Sequence, residues 1–236
     1  MIHFNTPMSI FFEIFTCLSR RVEYIMSSIH RVRRRLGVEL LPWGVAESRT
    51  IEKLLELKAG ERLLEAGCSS GYRIERYAKP GVELWGIDAD KGAIVEGRKS
   101  GSGVNLIEGD AQNLPFRDLF FDKVLTVHLL EHLGRPRKAI QEMARVLKPE
   151  GSGVIVVPCE RLRGDTAFAG WLRLVNLHKH RFTPPKMYAL LSPHFTIERA
   201  IFHTIIPGKF KPVPLDRTPF AYYFSLAMIF KVRKSG

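Results

Sequence analysis

The sequence predicts an α/β fold, a mostly parallel sheet with helices on both faces. From residue 57 onward, short apolar runs typical of strands alternate with stretches that have the apolar periodicity of helices. This alternation is typical of a parallel sheet, because each strand returns to the next through a helix. Apolar residues make up 45% of the 236 residues and charged residues 25%, which indicates a globular protein.

Eight elements form the alternating region. The expected strands are Arg62–Ala66, Glu83–Ile87, Val104–Ile107, Lys123–Val127 and Gly153–Val157, and the expected helices are Tyr72–Ala78, Lys91–Lys99 and Pro136–Leu147. Right-handed crossovers bring the carboxyl ends of parallel strands to one edge, so a ligand is expected to bind along that edge.

The pattern is less regular after Pro158. Trp171–His178 looks helical, and Thr183 followed by Pro184 predicts the start of a helix that runs to Leu191. The remaining expectations are strands at Phe195–Phe202 and Ala221–Val232, and a surface loop over the proline-rich residues 207–219.

The N-terminal segment has a different pattern. Apolar residues recur every three or four positions over residues 8–33, and Arg31–Arg35 add a dense basic run. We expect residues 1–44 to form an amphipathic basic helix with a linker, and residues 45–236 to form the main domain. Two interpretations remain open: the helix packs over that domain, or it lies on an anionic membrane surface.

The net charge of +12 is carried by the two ends of the chain. Residues 37–158 hold 17 basic and 18 acidic side chains, whereas residues 159–236 hold 13 basic and four acidic ones. Basic ends attract nucleic acid or phospholipid headgroups, although a solvated basic surface explains them equally well. Three widely spaced cysteines and no apolar run of bilayer length predict a cytoplasmic protein, with association at a membrane surface left open.

A small-residue loop follows the first expected strand. Its pattern is Glu65-x-Gly67-x-x-x-Gly71, and glycine permits tight turning and close approach of a ligand to the backbone. The G-x-G-x-x-G spacing of a dinucleotide site is not present, and a carboxylate at Glu65 would repel a pyrophosphate. The loop suits a ligand with an ammonium group; an ordinary strand-to-helix turn is the alternative.

Acidic or polar residues also end the next three strands. Asp88 can accept hydrogen bonds from two ribose hydroxyls, and Asp110 can accept one from an exocyclic adenine amine. The fourth strand is followed by a polar segment that includes His128 and the pair Glu131-His132. These residue types predict a nucleoside site along the carboxyl edge.

The ordered motifs resemble those of a known family. EAGCSSG, GIDAD, GDAQNLPF, FDKVLTVHLLEHL and RVLKPEG, within residues 61–158, are similar to class I S-adenosylmethionine (SAM)-dependent methyltransferases, in particular methylators of small molecules, lipids and quinones. The resemblance implies a Rossmann-like, seven-stranded sheet with one antiparallel strand near the C-terminus. It also implies that SAM is the cofactor.

The resemblance assigns roles to the motif residues. It places Glu65, Gly67 and Gly71 at the methionine end of SAM, Asp88 with Ala89 at the ribose, Asp110 and Ala111 at the adenine, and His128 beside the sulfonium. Ser69 replaces a frequent glycine, and Glu150 replaces the first glycine of a usual Pro-Gly-Gly turn. A branched side chain at residue 67 is expected to occupy the space of the methionine moiety.

Candidate catalytic residues are less specific. His132 is a candidate base, although local packing is the stronger interpretation. His180 lies where the family's substrate-facing segment lies, and a structural hinge explains it equally well. Cys159 follows a proline as in cytosine-C5 methylators, but after the fifth strand rather than the fourth, which disfavours a nucleophilic role. No spacing of potential ligands suggests a metal site. The expected apolar lining of the acceptor pocket is Phe168, Trp171, Phe182 and Tyr188.

The sequence thus predicts methyl transfer to a small-molecule or lipid-like acceptor. An RNA methyltransferase is a second hypothesis, supported by the basic ends but disfavoured because no nucleic-acid-binding module is visible. A catalytically silent SAM-binding or partner-binding protein is the third, and the complete set of cofactor motifs disfavours it.

Overall fold

The computed structural model describes residues 42–159, 179–204, 212–214 and 225–235. The chain divides into two compact units, residues 1–48 and residues 49–236. The expected helices at residues 8–33 and Trp171–His178, and the candidate pocket residues Phe168 and Trp171, lie outside the described residues. The expected domain boundary after residue 44 stays a prediction.

Helices and strands alternate along the main unit as the sequence predicts. A short 3₁₀ helix, Leu130–His132, follows β4. In chain order, the other elements of the described residues are α1 (Pro42–Leu55), β1 (Arg62–Ala66), α2 (Tyr72–Glu75), β2 (Glu83–Asp88), α3 (Lys91–Lys99), β3 (Val104–Glu108), β4 (Phe121–Val127), α4 (Pro136–Val146), β5 (Leu147–Pro158), α5 (Pro184–Leu191), β6 (Phe195–Thr204), β7 (Pro212–Pro214) and β8 (Ser225–Lys234).

The strands form one sheet in the order β3-β2-β1-β4-β5-β8-β6-β7. The first five are mutually parallel, and β8 runs antiparallel to its neighbours β5 and β6. Seven long strands with one reversed near the C-terminus confirm the predicted fold class. The order reverses between β1 and β4, and this switch point lies where open α/β sheets bind ligands.

Two segments differ from the expectations. Residues 212–214 were expected in a loop and instead form β7, which pairs with β6 alone at the sheet edge, where proline is tolerated. Helix α1 was not expected, although Ile51, Leu54 and Leu55 have helical spacing and are buried. Element boundaries shift elsewhere, most of all at β5, which begins at Leu147 because that residue pairs with Phe121 directly after α4.

The sheet separates two apolar layers. Alternate residues of β1, β4 and β5 belong to opposite layers, as the two-residue period of a strand requires. Leu64 lies with α4 and α5 on one face, whereas Leu63 lies with the end of α1 and with α3 on the other. Helices on both faces leave the carboxyl ends of the strands as the edge available to a ligand.

Candidate functional site

The loop between β1 and α2 turns through three left-handed residues. Gly67, Ser69 and Gly71 have φ of 79°, 52° and 80°. The amides of Gly67 and Cys68 both donate to the carbonyl of Ile87 in β2, at 2.8 and 3.1 Å. Ser69 therefore keeps the backbone conformation that favours glycine at its position, at some cost in strain.

The close neighbour of Gly67 is Leu129, from the segment after β4. A Cβ at residue 67 would lie 2.9 Å from Leu129 Cδ1. A branched side chain at residue 67 would therefore meet Leu129, and the expectation that it would also occupy the space of the methionine moiety stays a prediction. Within the protein itself, Leu129 and the positive φ already disfavour such a side chain.

Asp88 ends β2 and is held by two backbone amides. Its Oδ2 accepts from Ser69 N at 2.7 Å, and its Oδ1 accepts from Asp90 N at 2.9 Å. Asp90 in turn caps α3 by accepting from Ala93 N at 3.0 Å. The Asp88 carboxylate is therefore fixed between the loops that follow β1 and β2, and Ala89 next to it is exposed.

Asp110 follows β3 and is exposed, whereas Ala111 beside it is buried. The side-chain amide of Gln112 donates to both oxygens of Asp110, at 3.1 and 3.2 Å, and the Gln112 backbone N–H donates to Oδ1 at 2.8 Å. The side-chain oxygen of Gln112, Oε1, accepts from Arg135 N at 2.8 Å. Gln112 thereby orients Asp110 and ties the loop after β3 to the start of α4.

Glu65 lies inside the protein rather than at its surface. The residue is 1% exposed, and Arg73 Nε lies 3.6 Å from its Oε1. The side chain thus joins β1 to α2 across the loop that contains Gly67 and Gly71. Any ammonium group placed at this end of the site would share the Glu65 carboxylate with Arg73.

Two of the histidines lie beside a second buried carboxylate, that of Glu131. Glu131 Oε1 lies 3.8 Å from His128 Nδ1 and 3.9 Å from His132 Nε2. The backbone carbonyl of Glu131 accepts from Lys179 N at 2.8 Å and from His180 N at 3.1 Å. The structure therefore brings both candidate catalytic histidines and His128 to one place, although they are 52 residues apart at most.

The described pocket candidates differ in exposure. Phe182 is buried and its ring lies 6.1 Å from that of His180, centroid to centroid. Tyr188 is exposed and packs edge-on against Phe230. Phe182 is thus placed to shape the region beside His180, whereas Tyr188 belongs to the outer surface of α5.

A clamp formed by Glu142 and Arg145, which the sequence analysis did not identify, holds the loop after β3. Arg145 of α4 donates to both Glu142 oxygens, at 3.0 and 2.7 Å, and to the carbonyls of Leu114 and Phe116. Glu142 also accepts from Leu114 N at 2.9 Å. The i,i+3 spacing of Glu142 and Arg145 on a helix was the sequence feature that could have predicted this pair.

A cysteine nucleophile finds no support in the described part of the chain. Cys159 is 1% exposed, which is incompatible with a nucleophile that must reach a substrate. Burial, with Glu65 and Asp88 nearby, raises the pKa of the Cys68 thiol well above its usual range. Within the described residues, no cluster of histidine, cysteine and carboxylate groups could hold a metal ion, and no helix is long and apolar enough to cross a membrane.

Comparisons with known proteins agree with this architecture. Residues 64–155 match the methyltransferase domain family. A demethylmenaquinone methyltransferase of Paenarthrobacter aurescens is 36% identical over 107 residues, which are 45% of this chain and 42% of that protein. A tRNA (carboxymethyluridine(34)-5-O)-methyltransferase of Arabidopsis thaliana is 29% identical over 62% of this chain and 36% of its own length. The chain thus spans less than half the length of these relatives.

The fold has close counterparts among solved structures. A SAM-dependent methyltransferase of Thermotoga maritima superposes with a TM-score of 0.67 at 16% identity, over 88% of this chain and 96% of that protein. The match of residues 64–155 to the methyltransferase domain family and the likeness in fold to this solved structure together support a class I SAM-dependent methyltransferase domain in this chain.

Proposed function

We propose that this chain binds SAM at the carboxyl edge of β1 to β4 and transfers its methyl group to a small-molecule or lipid-like acceptor. The observation that carries the proposal is the anchored carboxylate of Asp88. Each of its oxygens uses one lone pair on a backbone amide, so both retain the capacity to accept from a hydroxyl. Two adjacent ribose hydroxyls are the ligand groups that match this arrangement.

The other site residues fit the same ligand. Gln112 orients the exposed Asp110 carboxylate, which can accept from an adenine amine, and Ala111 offers an apolar surface to the ring. Glu65 supplies negative charge near the tight loop of Gly67, where an ammonium group would be favoured. The donor set therefore suits a nucleoside that carries an amino acid.

When bound, SAM supplies a methyl group on a positively charged sulfur, which is an activated electrophile. The task that remains for this chain is to orient the acceptor and to exclude water. The segment 179–183 is tied to Glu131 by two backbone hydrogen bonds, which supports its role as part of the acceptor side. A base is needed only if the acceptor must lose a proton.

Two observations favour a lipid-like acceptor. The Paenarthrobacter relative is named for a quinone precursor, demethylmenaquinone. The amphipathic, arginine-rich residues 8–35 have the pattern of a segment that lies on anionic lipid. We propose that this segment docks the enzyme reversibly at a membrane surface. The name of the Arabidopsis relative, a tRNA methyltransferase, supports methyl transfer to RNA as the second candidate function.

Transfer of labelled methyl groups tests the proposal. Purified full-length protein is incubated with methyl-labelled SAM and with cell extract separated into a lipid-and-small-molecule fraction and an RNA fraction. We expect label in the first fraction, and much less with the Asp88→Ala variant. Label in RNA alone would establish the second candidate, and no transfer to either fraction would contradict the proposed activity.

A further inference from the structure

Gln112 lies between the loop after β3 and the loop after β4, and its side chain binds to both. The side-chain Nε2 donates to the two oxygens of Asp110, at 3.1 and 3.2 Å. The side-chain Oε1 accepts from the backbone N–H of Arg135, at 2.8 Å. Arg135 is the residue that directly precedes α4, and it meets Gln112 although 23 positions separate them in the sequence. Both polar atoms of the Gln112 side chain thus have a partner, one in each loop.

These two partners determine which way the Gln112 amide faces. Rotating a side-chain amide by half a turn exchanges its oxygen and its nitrogen, and the hydrogen-bond partners decide between the two orientations. The backbone N–H of Arg135 can only donate, so it requires the amide oxygen. The ionised carboxylate of Asp110 can only accept, so it requires the amide nitrogen. Both partners therefore favour the same orientation, in which Gln112 presents a donor to Asp110.

The hydrogen bonds from Gln112 leave the two oxygens of Asp110 unequal. Oδ1 accepts from the backbone N–H of Gln112 at 2.8 Å and from its side chain at 3.1 Å, whereas Oδ2 accepts from the side chain alone, at 3.2 Å, among the hydrogen bonds of the described residues. Each carboxylate oxygen has two lone pairs, so Oδ2 keeps one of them. Since Asp110 is exposed, that lone pair can accept from a single ligand donor, such as an exocyclic amine.

We propose that Gln112 is a positioning residue that makes the cofactor site selective for a nucleobase with an exocyclic amine. The proposal rests on the proposed binding of SAM and adds a determinant of nucleobase selectivity to that site. Gln112 holds both oxygens of Asp110 and so limits rotation of the carboxylate before the ligand arrives. The hydrogen bond to the amine then forms with a smaller loss of side-chain entropy. Gln112 acts on the ligand through Asp110.

Calorimetric titration of the full-length protein with two ligands tests the proposal. The first ligand is S-adenosylhomocysteine, and the second is its analogue in which a hydrogen atom replaces the 6-amino group of the nucleobase. One hydrogen bond to a charged acceptor is worth about tenfold in affinity, so the wild type should prefer the amino ligand by that factor. Gln112→Met keeps the length of the side chain but removes both polar atoms. In this variant we expect the preference to fall several-fold, toward equal binding of the two ligands.

The matched control is Gln141→Met, which makes the same change at an exposed position of α4, where Gln141 accepts from Lys138. It should leave the preference of the wild type unchanged. The ratio of the two affinities is a readout that a merely structural role would not move, because a loss of stability weakens the binding of both ligands equally. Should Gln112→Met not fold, Gln112→Ala takes its place with the same expected direction.

Failure of this proposal is distinguishable from failure of the proposed function. An unchanged preference in a folded Gln112 variant would overturn the role of Gln112 and leave the cofactor site in place. Equal binding of the two ligands by the wild type would also overturn the proposal, because Asp110 would then not distinguish the amine. No binding of S-adenosylhomocysteine by the wild type would remove the proposed function and this proposal together.

Discussion

At the scale of single residues, the site is built on backbone conformations that most side chains disfavour. Ser69 and His128 both have left-handed φ values, and both lie in loops at the carboxyl edge of the sheet. Such conformations cost roughly 1–2 kcal/mol each for residues with a Cβ. The sequence indicated the special backbone position of Ser69, because this serine replaces a frequent glycine. No neighbouring residue in the sequence predicted the backbone conformation of His128, because that conformation depends on the hydrogen bond to Val156.

Replacing Gly67 by valine should destabilise the fold as well as the site. The new side chain meets Leu129 at 2.9 Å and sits at a φ of 79°. Strain and overpacking together are expected to lower the free energy of unfolding by about 3 kcal/mol. Urea denaturation followed by circular dichroism measures this change.

The matched control for that substitution is Gly101→Val, at a φ of 70° with no atom within 4 Å of a Cβ. It carries the backbone strain without the contact, so it should lose about half as much stability. Adding Leu129→Ala should restore part of the loss in Gly67→Val. Equal losses at residues 67 and 101 would mean that Leu129 is not the obstacle.

At the scale of elements, the motifs predicted the strand ends well and the connections between them poorly. Strand periodicity and acidic strand ends located β1 to β4 because both are local properties of the sequence. The clamp of Arg145 and Glu142 on the loop after β3 was missed, because it joins α4 to residues about 30 positions earlier. Edge strand β7 was missed because its prolines match a loop until a neighbouring strand is known.

The clamp makes a pH-dependent contribution to stability. The hydrogen-bonded Arg145 guanidinium holds the pKa of Glu142 below its ordinary value of 4.5. A lowered pKa in the folded state means that the carboxylate stabilises the fold above its ordinary pKa and loses that effect as the pH falls through the lowered value. At neutral pH, Glu142→Gln should therefore lower the free energy of unfolding by about 2 kcal/mol.

Denaturation of the wild type and Glu142→Gln at pH 7 and pH 3 tests this dependence. The difference between the two proteins should shrink at the lower pH, since protonation of Glu142 is opposed in the folded state but not in the unfolded chain. Glu83→Gln, which removes an exposed partner of Arg62, should change stability little at either pH. A difference that is the same at both pH values would contradict the account of the clamp.

At the scale of the whole molecule, the excess positive charge and the strand-end motifs lie in different parts of the sequence. The segment with the strand-end motifs is nearly neutral, and the excess of basic residues lies on either side of it. The sequence predicted the methyltransferase fold because the motifs are ordered and local. It predicted only a broad class of acceptor, since residues such as His180 are brought next to Glu131 by tertiary contacts that the sequence does not show.

The proposed membrane docking has a direct test in vesicle co-sedimentation. Attraction of an arginine to an anionic surface is on the order of 1 kcal/mol, so the six arginines of residues 20–35 should together support reversible binding. Binding should require anionic lipid and weaken with added salt. Replacing Arg33, Arg34 and Arg35 by glutamine should reduce it, and deleting residues 1–36 should abolish it. No binding at low salt would contradict docking by this segment.

Calorimetric titration with S-adenosylhomocysteine, comparing Asp88→Ala with Glu83→Ala, tests the central claim most directly. Both substitutions remove one carboxylate from β2, but Asp88 lies at the carboxyl edge and Glu83 at the opposite end. Loss of two hydrogen bonds to a charged acceptor, roughly 3 kcal/mol, should weaken binding about a hundredfold in Asp88→Ala. Glu83→Ala should bind as the wild type does. Undiminished affinity in a folded Asp88→Ala protein, or no binding by the wild type, would contradict the claim that this edge of the sheet holds SAM.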